Sequence, residues 1–245
     1  MILKVLLQFI INKKEKFPFQ KSSTNFAPYM FWFKDFKTNW GKIIATDKFF
    51  IVRLILLFML GNTVPVALSY LLPIIQMRQG VGFTDPILEM ITPRDVSAAI
   101  FRILYTGLFS TAFFLFAYPR QLMVGMYIYL WLSLLRICSI YLIPLEPPVG
   151  LIYLEDPLLA ASVYKGNVIT KDLFFSGHTA TIVGCAFAMH HRKLKIILFG
   201  MSIVLSFLLL VQHIHYTVDI IGAWIFCFLV YKILTTGKKK EFDFE

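Results

Sequence analysis

Two short segments in the second half of the chain contain residue types that can transfer a phosphoryl group. His215 and Asp219 are four residues apart, so they lie on one face of a helix. There the carboxylate can accept a hydrogen bond from the imidazole Nδ1, which leaves Nε2 free as a nucleophile. His178, in the other segment, can protonate the departing oxygen. Together the three residues fit transfer through a phosphohistidine.

The residues near His178 are suited to phosphate binding. Ser176 is a favourable N-cap and Gly177 lets the backbone approach a ligand, so a helix that starts here favours an anion. Arg136 lies within an apolar stretch, where an unpaired cation is costly, and we expect it to face the bundle interior and meet phosphate or a carboxylate. The substrate- and phosphate-binding candidates are Arg136, Ser176, Gly177, Asp172, Lys171 and Tyr216.

Other interpretations of these residues are open at this point. The His215–Asp219 pair could be structural, and Arg136 could pair with Glu146 or another acidic loop residue. A metal site is disfavoured because His213 and His215 lie on different helix faces and neither an H-E-x-x-H motif nor a cysteine cluster occurs. We therefore predict no metal and no cofactor. His213 is interpreted as an interfacial side chain.

The composition indicates which elements hold these residues. Of the 245 residues, 58% are hydrophobic and 16% are charged, with a mean hydropathy of +0.72, whereas soluble domains are about 25% charged. A membrane-spanning helix needs about 20 apolar residues. Six such stretches occur, at approximately 50–74, 98–118, 122–145, 173–190, 194–213 and 216–235. We predict an all-α, polytopic membrane helical bundle with six transmembrane helices.

The chain is divided into three parts by this pattern. Residues 1–48 form a basic, aromatic-rich interfacial arm, 49–236 the transmembrane catalytic domain and 237–245 a charged tail. Aromatic residues between lysines suit the headgroup region, and a disordered leader is the alternative interpretation of the arm. Because the net charge of +10 is concentrated in the arm, short loops and tail, we expect anionic lipid headgroups as partners, and no nucleic acid.

The positions of Lys and Arg also predict an orientation. They are concentrated in the arm, in the connections after the second and fourth spans and in the tail, so these segments and both termini are predicted to be cytoplasmic. The fourth and sixth spans then start on the opposite side. His178, His215 and Asp219 are therefore expected at the non-cytoplasmic (periplasmic or lumenal) face of an integral, multi-pass membrane protein.

Both segments resemble the motifs of a known family. Residues 175–179 (F-S-G-H-T) and 215–219 (H-Y-T-V-D) resemble the S-G-H-T and H-Y-T-[VI]-D motifs of the sphingomyelin synthase family, a branch of the type-2 phosphatidic acid phosphatase (lipid phosphate phosphatase) superfamily. Asp172 matches the family's C-G-D-x-x-x-S-G-H pattern, although Thr170 and Lys171 replace Cys and Gly. The resemblance extends over about residues 98–235.

The resemblance implies a two-step transfer from a membrane phospholipid to a lipid alcohol such as ceramide. His215 would be the nucleophile and Asp219 its orienting partner. His178 would protonate the departing group and then activate the acceptor. In the phosphatases of the superfamily, the acceptor is water.

Two departures from the superfamily's motifs bear on the reaction. The K-x6-R-P motif is matched only by Arg136, Ile143 and Pro144, and Leu208-Leu209 stand where phosphatases have Ser-Arg. The missing cations would hold a dianionic monoester, so their absence favours a phosphodiester and a synthase-like transfer. A lipid phosphate or polyprenyl pyrophosphate phosphatase is the alternative hypothesis, and a non-catalytic lipid-binding or transport protein is the third. The donor headgroup stays open.

Overall fold

The computed structural model describes residues 28–156, 163 and 167–236, and all the regular elements within them are helical. This confirms the all-α prediction for those residues, whereas residues 1–27 of the predicted arm and the tail 237–245 lie outside them. The helices are α1 (Pro28–Thr46), α2 (Phe50–Met77), α3 (Pro86–Glu89), α4 (Ser97–Phe116), α5 (Pro119–Leu142), α6 (Gly177–Ala188), α7 (Arg192–Val211) and α8 (Thr217–Thr235).

Five of the described helices, α2, α4, α5, α7 and α8, are long and apolar enough to cross a membrane. They support a multi-pass integral membrane protein. The predicted fourth span, 173–190, differs from the structure because Ser176 caps the helix and Met189 is already extended. The resulting α6 has 12 residues, or about 18 Å at 1.5 Å per residue. The count of six spans and the orientation of the termini are therefore not confirmed.

Helix α6 is the centre of the bundle, because it packs against α4, α5, α7 and α8. Its composition permits this, since small residues let neighbouring helices approach closely. A Cβ atom at Gly184, for example, would already touch Ile128 and Leu132 at 3.4 Å. The buried residues of α6 are Thr179, Ala180, Ile182, Val183, Gly184, Ala186 and Ala188. This packing fixes the start of α6, which carries His178, between four other helices.

The start of α8 is fixed by Asp85 in the connection between α2 and α4. Its carboxylate accepts hydrogen bonds from Thr217 N at 2.6 Å and Thr217 Oγ1 at 3.1 Å. The same carboxylate caps the short α3 by accepting from Ile87 N and Leu88 N. One side chain thus satisfies orphan N–H groups at two helix starts, and holds this loop against the segment that carries His215.

Helix α1 docks at the other end of α6. The side chains of Trp32, Asn39 and Trp40 donate hydrogen bonds to backbone carbonyls at the C-terminal end of α4, where the last turn of a helix leaves carbonyls unsatisfied. The Tyr118 hydroxyl, beyond α4, donates to Asp35 of α1 at 3.0 Å. Its ring also packs on His190, which follows α6. This basic end of the bundle and His178 are therefore separated by the length of α6.

Candidate active site

The His215–Asp219 pair forms a buried, hydrogen-bonded unit at the start of α8, where His215 precedes the N-cap Tyr216 and Asp219 lies in the first turn. His215 Nδ1 lies 3.2 Å from Asp219 Oδ2, which also accepts from Tyr216 N at 3.0 Å. The two side chains are 3% and 0% exposed. Because the carboxylate can only accept, Nδ1 carries the proton and Nε2 keeps its lone pair. The arrangement suits a nucleophilic imidazole.

His178 faces His215 across a small gap. The two ring centroids are 6.5 Å apart with an interplanar angle of 64°. Both side chains line a polar cavity of about 50 Å³, together with Arg136 and Asp172. That volume is several times the roughly 10–15 Å³ that one water needs. The two histidines, which the sequence placed in different segments, thus meet around a space suited to a compact group such as a phosphate.

Arg136 faces the bundle interior and meets a carboxylate, which is one of the two outcomes expected for it. Its Nη2 donates to Asp172 Oδ1 at 2.7 Å and its Nε donates to the Phe175 carbonyl at 3.0 Å. A Cβ atom at Gly177 would lie 2.8 Å from Arg136 Cζ, so this residue must be glycine for the guanidinium to pack here. A guanidinium has five N–H donors; two are used in these bonds, and the others remain for a ligand in the cavity.

The predicted N-cap at Ser176 is confirmed. Its Oγ accepts from Thr179 N at 3.4 Å, and the residue is fully buried. The backbone N–H of Ser176 donates to the carbonyl of Asp219 at 3.2 Å. The starts of α6 and α8 are therefore bonded directly to each other, which brings His178 and the His215–Asp219 pair together.

The structure does not bring Lys171 and Tyr216 to the cavity between the histidines. Lys171 Nζ donates to Glu146 Oε1 at 2.7 Å and to the Arg78 carbonyl at 2.6 Å. The Tyr216 hydroxyl donates to the Glu146 carbonyl at 3.1 Å, and its ring stacks on Phe83. The hydrogen bond from Lys171 is the main cause that lowers the pKa of Glu146. Both candidates thus hold the loop at Glu146 in place.

Asp156 is a site residue that the sequence interpretation missed. Its Oδ2 lies 3.7 Å from His178 Nε2, and its Oδ1 accepts a hydrogen bond from the Tyr105 hydroxyl at 2.7 Å. It is only 4% exposed. The distance to His178 is longer than a hydrogen bond, so the contact between the two side chains is electrostatic. No local motif in the sequence identifies Asp156 as a site residue.

A second, larger cavity opens from the same group of polar residues. Its volume is about 450 Å³, and it is shared with the small cavity at Arg136, Asp172 and His178. From there it follows α6 as far as Ala188, between α2, α4 and α5, along a mainly apolar wall. Its volume falls within the about 300–1,000 Å³ of typical ligand pockets. A polar end at His178 and an apolar remainder suit a lipid.

Across residues 28–156, 163 and 167–236, no group of three His, Cys, Asp or Glu side chains is placed to hold a metal ion. The chemistry available from these residues is nucleophilic attack by His215, proton transfer by His178 and charge stabilisation by Arg136.

Comparison with known proteins agrees with this geometry. A family model described as "PAP2 superfamily C-terminal" matches residues 171–236, which contain both histidine segments. The match supports membership of the type-2 phosphatidic acid phosphatase superfamily. Members of that superfamily are phosphatases or phosphotransferases, which supports an enzyme, and the match does not separate the sphingomyelin synthase branch from the others. No curated protein and no solved structure gives a significant match.

Proposed function

We propose that the protein is an integral membrane lipid phosphotransferase. It moves a phospho-headgroup from a phospholipid donor to a lipid alcohol, such as ceramide or a diacylglycerol-like acceptor, through a phosphohistidine. The observation that carries the proposal is that the ring centroids of His178 and His215 lie 6.5 Å apart across a small polar cavity. This cavity adjoins a larger, mainly apolar one. Neither side chain needs to move far for a phosphate to lie between them.

In the first step, His215 Nε2 attacks the phosphorus atom of the donor. The bond between phosphorus and the donor's glycerol oxygen breaks, and that oxygen receives a proton from His178, so that diacylglycerol leaves. Asp219 holds the His215 ring through Nδ1 and stabilises the positive charge that develops on it. The Asp156 carboxylate, whose Oδ2 lies 3.7 Å from His178 Nε2, places a negative charge next to the acid of this step.

In the second step, the acceptor's hydroxyl gives its proton to His178, and its oxygen attacks phosphorus. The bond between phosphorus and Nε2 breaks, which returns His215 to its neutral form and leaves the headgroup on the acceptor. His178 is again protonated and ready for the next donor. If water replaces the lipid alcohol, the same residues hydrolyse the intermediate.

The charges around the cavity favour a phosphodiester donor. Among the described residues that line the small cavity, Arg136 is the only permanent cation, and it is already paired with Asp172. Asp156 adds a second carboxylate near His178. A dianionic monoester would meet little uncompensated positive charge here, whereas a diester carries a single negative charge on its phosphate.

The position of the candidate active site in the bundle favours a location on the non-cytoplasmic side of the membrane. The site lies at the start of α6, and the basic residues Arg192 and Lys193 lie beyond its other end, near α1. Because basic residues are enriched on the cytoplasmic side, we place the site on the opposite side of the membrane. The exposed lysines of α1, among them Lys34 and Lys42, are then positioned for anionic headgroups of the inner leaflet.

The proposal is tested with purified protein in nanodiscs and a phospholipid labelled in its headgroup phosphate. Ceramide or diacylglycerol is added or left out, and His215→Ala is compared with His191→Gln, a histidine at the far end of α6. We expect label on the acceptor lipid with wild type and His191→Gln and none with His215→Ala. Label released only into water would favour the phosphatase, and no turnover by the wild type with any donor would overturn an enzymatic role.

A further inference from the structure

His213 lies two residues before the candidate nucleophile and is buried, with 5% of its surface exposed. Its placement corrects the interpretation of this residue as an interfacial side chain. Ring nitrogen Nδ1 lies 2.9 Å from the Val149 carbonyl oxygen, and Nε2 lies 2.8 Å from the Ile91 carbonyl oxygen. Both ring nitrogens are therefore within hydrogen-bond distance of groups that can only accept.

This geometry determines the protonation of the ring. A neutral imidazole has one N–H and one nitrogen lone pair, so in either tautomer one nitrogen would direct its lone pair at a carbonyl oxygen at less than 3 Å. Only the imidazolium donates from both nitrogens. We infer that His213 is a buried imidazolium that clamps two loops together and thereby acts as a positioning residue for the site at His215.

The two loops come from distant parts of the chain. Ile91 belongs to the connection between α2 and α4, and Val149 to the connection between α5 and α6. The neighbouring Gln212, which is fully buried, joins the same two connections. Its Oε1 accepts from Val96 N at 3.2 Å, and its carbonyl accepts from Ile152 N at 3.1 Å. The turn after α7 is thus a junction of three segments, with His213 at its centre.

The backbone at His213 belongs to the turn that ends α7. Its φ of +56° is in the left-handed region, which is uncommon for residues other than glycine. Residues in this region are common just past a helix C-cap, and across His213 the Ile214 N–H donates to the Leu209 carbonyl of α7 at 3.3 Å. The two ring hydrogen bonds add side-chain contacts to this main-chain turn.

The surrounding charges favour a cation at this position. The described charged and titratable groups of the segments that meet at His213 are, on the first connection, Arg78, Asp85, Glu89, Arg94 and Asp95; on the second, Glu146, Tyr153, Glu155, Asp156, Lys171 and Asp172; and on its own segment, His215, Tyr216 and Asp219. The eight carboxylates in this group outnumber the three permanent cations, Arg78, Arg94 and Lys171. A cationic ring between the loops therefore lowers the electrostatic energy of the arrangement.

The two hydrogen bonds of the His213 ring hold a loop that lines the candidate active site. The loop that His213 holds at Val149 continues through Leu151 and Leu154, which line the small cavity, to Asp156, which faces His178. Since His215 follows His213 by two residues, the same hydrogen bonds fix the position of the candidate nucleophile relative to the loop that carries Asp156. This positioning role rests on the proposed phosphotransfer, whereas the charge of the ring is independent of it.

The charge is measured by 15N NMR of the wild-type protein in bilayers, with labelled histidine. His213 is the only histidine that follows a glutamine, so carbonyl-13C glutamine combined with uniformly 13C,15N-labelled histidine identifies its amide and ring without any substitution. We expect the His213 ring at neutral pH to show both nitrogens protonated. A neutral tautomer there would overturn the inference, whether or not the protein is active.

The positioning role is measured by kinetics with two variants that accept a left-handed backbone. His213→Gly removes both hydrogen bonds, and His213→Asn keeps a donor for one. We expect kcat per folded protein to fall by about 10²-fold in His213→Gly and by less in His213→Asn, with smaller changes in KM, whereas His191→Gln keeps the wild-type kcat. Wild-type kcat in folded His213→Gly would refute a positioning role.

Discussion

The backbone N–H of Ser176 donates a hydrogen bond to the carbonyl oxygen of Asp219 at 3.2 Å. This bond joins the N-cap of α6 to the first turn of α8, so the two segments that carry the candidate catalytic residues are held main chain to main chain. The distance between His178 and His215 is therefore set by backbone geometry as well as by side-chain packing. Such rigid placement of reacting groups is a major source of rate enhancement.

Asp219→Asn tests the orientation of the nucleophile. The amide would offer either its oxygen or its NH₂ group to His215 Nδ1, so the ring would lose its fixed tautomer and the charge that stabilises its cationic form. By analogy with other orienting carboxylates, we expect kcat to fall by about 10³–10⁴-fold, measured as headgroup transfer in nanodiscs. Asp95→Asn, on an exposed loop, is the matched control, and a near-wild-type rate for Asp219→Asn would mean that the aspartate is structural.

Asp156→Asn tests the partner of His178. The substitution removes the negative charge beside His178, and we expect a decrease in kcat of about 10–10²-fold. Tyr105→Phe deletes one hydrogen bond to Asp156 but keeps the carboxylate, so a smaller decrease is expected. The exposed neighbour Glu155→Gln serves as the control. Equal rates for Asp156→Asn and Glu155→Gln would exclude Asp156 from the site.

Gly177→Ala tests the placement of Arg136. The added Cβ would lie 2.8 Å from Arg136 Cζ, so the guanidinium must move and its bond to Asp172 is lost or weakened. We expect kcat/KM for the phospholipid donor to fall by about 10-fold or more. Gly200→Ala on α7 is the matched control because its Cβ would meet nothing within 4 Å. Identical kinetics for both alanine variants would show that the position of Arg136 does not matter.

We expect the thermal stability of the protein to depend on pH through the carboxylate of Asp85. Burial raises its pKa, but hydrogen bonds, first of all from the Thr217 N–H, outweigh this effect and lower the pKa below 3.8. The pKa of Asp85 is thus lower in the folded than in the unfolded protein. The stabilisation by its ionised carboxylate is therefore fully present above the unfolded-state pKa, and it is lost as the pH falls through the folded-state pKa. The difference in Tm between wild type and Asp85→Asn should be constant from about pH 8 to pH 5 and shrink only below 3.8. A difference that already shrinks between neutral pH and about pH 5 would contradict this assignment.

The local features of the site could be predicted from the sequence. The spacing of His215 and Asp219 predicts their contact, but the prediction of a shared helix face is wrong, because His215 precedes the N-cap Tyr216. Ser176 before Gly177 identifies a helix start, because capping acts within one helical turn. Arg136 was expected to face inwards since an unpaired cation is costly in an apolar bundle. In each of these cases the physical cause lies in the immediate sequence neighbourhood.

The contacts made by loops could not be predicted in the same way. Asp156 lies near His178, and the His213 ring is bonded to Val149 and Ile91. These contacts depend on the course of the loops, which hydrophobic periodicity in the sequence does not predict. The sequence makes Lys171 a phosphate-binding candidate, but its ammonium is bonded to Glu146. Helix α6 was expected to be longer, because the apolar run does not reveal that the segment before Ser176 is non-helical.

The central claim is that His215 carries the phospho-headgroup between donor and acceptor. The most direct test is a rapid acid-free quench of wild-type protein mixed with a phospholipid labelled in its phosphate, followed by mapping of protein-bound label by mass spectrometry. We expect label on His215 within one turnover. This label should disappear from the protein when a lipid alcohol is added and reappear on that lipid. Transfer of label to the acceptor without any label on His215, or label on another residue, would contradict it.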